Sequence, residues 1–399
     1  MLIEIVLALI AGILAGTITG LSPGIHINLV ASILVGSLAF FHFVPLVALV
    51  VFIVAMSIAH TFLDFIPSIY LGAPEEDSFL SILPGHRMLN EGKAHEAFVL
   101  TIYGSLTALI IILLFAPLFI LFLPGVFTIA KTIMPFILIF ISLYLIFREE
   151  NFTLSVVVFL LAGFLGYLAF NLPVKEPLMP LLSGLFGLSG LLISMKSKSK
   201  VPKQQILPIR KIKLKKREFF KALGAILISS PLCSFLPGIG SGHAATIGSE
   251  IIPQNNKGFL FLVGATNTII MGLSFVTVYA IDRARSGSAA AVSDILQTIT
   301  SSNLIIILAT IVVSGVIAAI IGIKLSKLFA KYVMKINYFY LTLFTMAILL
   351  AVNIAFSNWL GILVLAISTS LGIFCISSNS RRINLMGALI IPAVLYYLL

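Results

Sequence analysis

The sequence predicts an all-α polytopic membrane protein made of two inverted repeats, each a Pro-Gly broken re-entrant helical hairpin followed by about five transmembrane helices. Three observations carry that expectation. Of 399 residues, 60% are hydrophobic and 10% charged, with a mean hydropathy of +1.18, well above the ~45–50% apolar content of soluble domains. Apolar runs near the ~20 residues that cross a bilayer recur along the chain. Finally, the same Pro-Gly break opens both halves.

The first stretch, Leu2 to Leu21, lacks a basic leader and a small-residue cleavage site, so it reads as part of the mature protein rather than a signal peptide. It runs into the first break, Ser22-Pro23-Gly24-Ile25-His26-Ile27-Asn28. Gly12, Gly16 and Gly20 form two small-xxx-small steps within it and predict close helix contact. Candidate spans follow near 43–71, 96–123, 127–147, 152–170 and 178–195.

Ten of the 25 Lys and Arg then fall between Lys196 and Arg217, with no acid among them. This segment is expected to be a cytoplasmic linker acting as a solvated orientation signal beside anionic headgroups. The second break, Leu236-Pro237-Gly238-Ile239-Gly240-Ser241-Gly242-His243, precedes spans near 258–281, 290–322, 337–356, 359–376 and 383–399.

The halves also match at Ala59-His60-Thr61 and Thr266-Asn267-Thr268. The expected organisation is a first repeat over 1–195, a linker over 196–217 and a second repeat over 218–399. With the linker inside, counting crossings puts Lys324, Lys327, Lys331, Lys335, Arg381 and Arg382 inside, together with Arg87, Lys93 and Arg148. An odd number of crossings per half makes the repeats inverted.

A soluble enzyme and a nucleic-acid binder are excluded by the apolar runs. Cys233 and Cys375 supply neither a disulfide framework nor a metal set. No P-loop, nucleophile elbow or clustered metal motif is present, so no cofactor is expected beyond Na+ or H+ as a coupling ion.

Irregular backbone inside a bilayer survives only where it faces protein or a wet cavity, so the two breaks predict a binding site. The substrate-contact candidates are Ser22, Pro23, Gly24, His26 and Asn28 with Pro237, Gly238, Gly240, Ser241 and His243. Glycine lets a ligand approach the backbone, and the following helix N-terminus suits an anion. The alternative for each break is a packed kink. His60, Asp64 and Asn267 are the ion-coupling candidates, because an acid in an apolar run is costly unless paired, protonated or wet; a place at the water boundary is the alternative for Asp64. Arg283 and Arg285 fall on the outer side, against the charge rule, as anion capture or as partners of the acidic loop Glu75-Glu76-Asp77.

The break residues, the run Gly72-Ala73-Pro74-Glu75-Glu76-Asp77 through Leu83-Pro84-Gly85-His86-Arg87, and Ala284-Arg285-Ser286-Gly287 resemble the tripartite tricarboxylate transporter permease family, the TctA-like large membrane subunit, in its compact archaeal-type branch. The resemblance spans nearly the whole chain. It implies a secondary transporter (permease) of the plasma membrane for organic anions such as carboxylates, coupled to a cation gradient by symport, with the paired Pro-Gly motifs in the substrate region. The bacterial members work with a small membrane subunit and an extracytoplasmic binding protein; these partners, and a homodimer, are left open here. A polyprenyl-phosphate translocase has a similar layout and would use the same tips for a lipid phosphate. An intramembrane enzyme using His60 and Asp64 lacks a nucleophile or metal set.

Overall fold

The computed structural model describes residues 2–22, 27–70, 82–174, 177–196, 202–234, 240–332 and 338–398. Helices α1 (Leu2–Leu21) and α2 (Ile27–Gly36) flank the first break. After a short 3-10 turn come α3 (Leu46–Leu63), α4 (Phe65–Tyr70), α5 (Ile82–Asn90), α6 (Ala94–Phe147) and α7 (Phe152–Asn171). The next run is α8 (Leu178–Leu182), a π turn at Ser183–Leu188, and α9 (Ser189–Lys196). Beyond the linker lie α10 (Lys216–Cys233), α11 (Ser241–Ile251), α12 (Asn256–Ile281), α13 (Gly287–Leu296) and α14 (Ser301–Tyr332). The chain ends with α15 (Tyr338–Phe356), α16 (Trp359–Ser377), a 3-10 turn and α17 (Gly387–Leu398). Among the described residues there is no strand, and seven helices are long and apolar enough to cross a membrane.

Local chemistry explains several boundaries. Asn151, Asn255 and Asn358 each accept a hydrogen bond from the backbone N–H three residues on and so start α7, α12 and α16. The chain breaks at Asp64 and again at Gln297, whose φ is +56°. The predicted span 43–71 corresponds to one apolar stretch long enough to cross a membrane, Leu46–Tyr70, broken at Asp64 into α3 and α4, whereas 290–322 is divided into α13 and α14. The Ser/Thr-rich stretch from Thr298 to Ser302 satisfies backbone groups locally, as in the bond from Asn303 N to Thr300 Oγ1.

The opposite correction applies to 96–123 and 127–147, which form the single 54-residue helix α6 despite Pro117, Pro124 and Pro135. At 1.5 Å per residue it is about 80 Å long, far more than one ~30 Å hydrocarbon core. Each proline removes one helical bond, and the apolar turns on either side keep the rest.

Two helices form the centre. α3 and α12 are buried along most of their length, α3 against α1 and α14, α12 against α6 and α10. Glycines permit the closest of these crossings. Added Cβ atoms on Gly12, Gly16 and Gly20 would strike Phe52 O at 2.5 Å, Met56 O, and Leu63 Cβ at 3.0 Å, so the small-residue steps of α1 lie flat on α3. Gly104 of α6 and Gly264 of α12 meet the facing backbone in the same way, and Ser105 Oγ donates to Gly264 O at 3.0 Å. A second core joins Met134 and Leu138 of α6 to α7, α16 and α17. Outward faces carry residues such as Leu14, Ile110, Leu121 and Phe140, all exposed, as lipid contact requires.

The linker differs from a solvated tether. Gln204 is buried, accepts from Ala94 N at 3.0 Å and donates to Leu89 O at 3.0 Å. Gln205 N donates to Gly92 O at 2.7 Å, and Tyr103 OH donates to Ile209 O at 3.1 Å. Its backbone is thus docked on the α5–α6 turn and on α6, while Lys203, Arg210, Lys211 and Lys213 remain exposed.

Candidate functional site

The two motifs matched by position in the two halves meet face to face. Asp64, at the α3–α4 break and buried, accepts at Oδ2 from Asn267 Nδ2 of α12 at 2.9 Å. Thr61 Oγ1 donates to Ile58 O at 2.9 Å, so its 3.3 Å contact with Thr268 is received from the Thr268 hydroxyl. His60, one turn earlier and also buried, places Nδ1 3.1 Å from Thr19 Oγ1 of α1. Thr19 in turn donates to Gly16 O at 3.3 Å, which assigns the proton of the pair to His60 Nδ1. Ser68 Oγ donates to Asp64 O at 3.0 Å and holds the first turn of α4 against the break. Asp64 and Asn267 are therefore paired across α3 and α12, while His60, one turn before Asp64, is bonded to Thr19 of α1. With the Thr61 and Thr268 hydroxyls alongside, the α3–α12 contact presents a carboxylate, a carboxamide and two hydroxyls, the oxygen chemistry of a small-cation site. No group of three His, Cys, Asp or Glu side chains converges among the described residues.

The first break reaches the second half elsewhere. Asn28 Oδ1 accepts from Ser288 N at 3.1 Å, near the N-terminus of α13. A Cβ on Gly287 would meet Asn28 Cβ at 2.8 Å, so the glycine gives α2 room to dock. Ser286 caps α13 by accepting from Ala289 N at 3.2 Å and touches Ser274 at 3.2 Å. Arg283 and Arg285 belong to the segment just before this cap; the Arg283 guanidinium lies 5.9 Å from the centre of the Phe127 ring.

Ser22 is half-buried and its backbone N donates to Thr19 O at 3.2 Å. Gly240 O accepts from Ala244 N at 3.2 Å, opening α11, and Ser241 is fully buried in its first turn. Pro23, Gly24, His26, Pro237 and Gly238, and the side chain of His243, lie outside the described residues, as does the acidic loop 75–77.

Sequence reasoning missed a second buried polar group. Tyr70 OH, at the end of α4, is 2.9 Å from both the carbonyl and the hydroxyl oxygen of Ser326 in α14. His95 Nδ1, in the first turn of α6, is 2.9 Å from the same hydroxyl. All three residues are fully buried, and His95 Nε2 has no hydrogen-bond partner among the described residues. The usable signal is a histidine at the threshold of a long apolar run, set between the charged residues Lys93 and Glu96.

Among the described residues all regular structure is helical and seven helices are long and apolar enough to cross a membrane, apolar outside and polar between the central helices, which defines a multi-pass membrane protein. The sequence matches the profile of the Tripartite tricarboxylate transporter TctA family over residues 6–387, and the chain belongs to that family. It is a multi-pass protein of the cell membrane and a component of a membrane transporter. An uncharacterized protein of Methanocaldococcus jannaschii is 30% identical over 414 aligned positions, covering 98% of each chain. No solved structure matches.

Proposed function

We propose that the protein is a secondary transporter that moves a small organic anion of the carboxylate type by alternating access, driven by Na+ or H+. The observation that carries this reading is the bond between Asp64 and Asn267, two buried polar residues on the two central helices, one from each half. A carboxylate held at a helix break in the membrane interior is stabilised by binding a cation or a proton, and one whose partner sits on the other half links that event to the relative position of the halves.

The order and packing of the helices support two repeats over 1–195 and 218–399 joined by 196–217. In each half a helix, a Pro-Gly break and a short helix precede a buried central helix, α3 in one and α12 in the other. The packing is exchanged between halves: α3 lies against α14 and α12 against α6, α7 against α17 and α16 against the run from α8 to α9. The anion site lies, on this reading, between the two Pro-Gly tips, with Ser22, Asn28, Gly240 and Ser241 at its described margins.

Purified protein in liposomes, assayed for citrate and succinate uptake under an imposed sodium or proton gradient, tests the reading. Uptake that follows one gradient and vanishes in Asp64→Asn supports it. Wild-type uptake by Asp64→Asn would overturn the coupling role. Thermal stabilisation by a short-chain polyprenyl phosphate alone would replace the solute with a lipid phosphate at the same tips.

A further inference from the structure

Away from the Asp64–Asn267 pair, a cleft of about 380 Å³ opens beside the end of the basic linker. Its walls come from both halves: Pro84 and Arg87 of α5, Arg148 after α6, Glu250 at the end of α11, and Gln254, Asn255, Asn256 and Phe259 leading into α12. Asn255 Nδ2 donates at 2.7 Å to Glu218, at the start of α10, which fixes the cleft next to the linker. The volume falls in the ~300–1,000 Å³ range of small-molecule sites.

The charges are unbalanced toward the positive. Glu250 serves two guanidiniums, Arg148 at 2.7 Å and Arg381 at 3.4 Å, and Arg381 is also paired with Glu149 at 2.5 Å. Two acids thus neutralise two arginines, and the third, Glu218, which accepts from Asn255 Nδ2 and from Lys215 N, directly follows the linker cations Lys215, Lys216 and Arg217. Arg87 is exposed and forms no ion pair among the described residues, so it adds one uncompensated charge to the wall. The acid next to it in sequence, Glu91, is bonded to Lys93, which holds its carboxyl below the usual range; Arg87 adds only a weaker pull. Gln254 Nε2 donates one proton to Ile252 O and Asn255 Nδ2 one to Glu218, which leaves each a second N–H; with Asn256 these amides stand as neutral donors beside the guanidiniums, the mixture that orients a carboxylate by bidentate and single hydrogen bonds.

We propose that this cleft is an anion-binding vestibule in which a carboxylate of the transported solute docks on Arg87, with Arg148 and the Gln254–Asn256 amides completing the contact, on its way to or from the membrane interior. The assignment rests on the transporter reading for its role, and on the cleft's own geometry for binding. It places a capture or release site on the face that carries the linker cations, whose summed field concentrates anions there.

The test is citrate-dependent thermal stabilisation of the purified full chain in detergent. The variants are Arg87→Gln and, as an exposed linker cation outside the cleft, Lys213→Gln. The expected result is a citrate midpoint raised about tenfold in Arg87→Gln, an unchanged midpoint in Lys213→Gln, and the same melting temperature for all three without citrate. Equal loss in both variants, no loss in Arg87→Gln, or no citrate response in the wild type would each overturn the proposal. A parallel arm in nanodiscs of phosphatidylcholine with and without phosphatidylglycerol separates a lipid source of the anion. Stabilisation by phosphatidylglycerol that depends on Arg87 and abolishes the citrate response overturns a soluble occupant. Because the readout is binding, a protein that binds citrate through Arg87 yet transports nothing in liposomes ends the transporter reading and the vestibule's role in it, and leaves only the anion site of the cleft.

Discussion

Asn267 Nδ2 stands 2.9 Å from Asp64 Oδ2, so the buried acid of the first half is held by an amide of the second. The two partners do different work, and their variants should separate. Asp64→Asn is nearly isosteric and keeps a polar side chain against Asn267; it is expected to melt close to wild type and to lose gradient-driven uptake. Asn267→Ala removes a donor from a buried carboxyl group and is expected to cost about 1–3 kcal/mol, read as a lower melting temperature. If Asp64→Asn unfolds while Asn267→Ala is silent, the pair is a structural strut whose energy lies in the acid.

The contact of α1 with α3 makes a sharper stability prediction. A Cβ at Gly16 meets the Met56 carbonyl and Ala59 Cβ at 2.8 Å, and backbone on α3 cannot move aside as a side chain would. Gly16→Val is expected to destabilise by about 1–3 kcal/mol. Gly125, inside α6 with nothing within 4 Å of its Cβ position, is the internal control. Gly125→Ala should be neutral or stabilising by up to about 1 kcal/mol, since alanine loses less backbone entropy in a helix. Thermal melts of both variants in one detergent decide the matter.

These elements also show what sequence reasoning could reach. That His60, Asp64 and Asn267 would be engaged was legible, because a polar side chain within an apolar run must find a partner; that Asp64 would find Asn267 while His60 turns to Thr19 of α1 was not, since it depends on how α1, α3 and α12 pack. Gly12, Gly16 and Gly20 were legible for the same kind of reason, a spacing with one geometric use. Pro124-Gly125 was not, because it has the same dipeptide as the two breaks yet stays within α6, where Thr128 Oγ1 donates to Pro124 O at 3.0 Å and the helix continues. The difference lies in what packs around the dipeptide, and that is tertiary information. The docked linker was hidden for a similar reason. Its hydrogen-bonding anchor, Gln204, and its buried Ile212 sit among ten cations that read as solvated.

That anchor is testable by proteolysis. Gly92 has φ +77°, which favours glycine, and a Cβ there would lie 2.7 Å from Lys203 O. Gly92→Ala and Gln204→Ala should each release the strap from the α5–α6 turn. Trypsin has Lys203, Arg210, Lys211 and Lys213 as targets, and cleavage should accelerate several-fold in both variants over wild type, because it tracks the population of the open form. Lys213→Ala, which removes a cation and no anchor, should leave cleavage at Lys203 and Arg210 unchanged. Equal rates in wild type and Gln204→Ala would mean that the strap is held by something other than these bonds.

The last prediction concerns the buried group of Tyr70, Ser326 and His95. Ser326 is the shared member: its hydroxyl lies 2.9 Å from both Tyr70 OH and His95 Nδ1, and its carbonyl takes the Tyr70 proton at 2.9 Å. Removing Tyr70 OH leaves the Ser326–His95 contact intact, so Tyr70→Phe is expected to cost about 0.6 kcal/mol, the usual size for one polar contact inside a membrane protein. Ser326→Ala acts on more. It strips the Nδ1 partner from a fully buried imidazole whose Nε2 has no partner among the described residues, leaving a ring with both nitrogens unsatisfied. The expected cost is about 1–3 kcal/mol, larger than that of Tyr70→Phe. In a double-mutant cycle, Ser326→Ala should cost much less on a His95→Phe background, because no imidazole remains to be orphaned. A Ser326→Ala effect that persists unchanged on that background would assign the group's energy to the tyrosine contact and remove His95 from it.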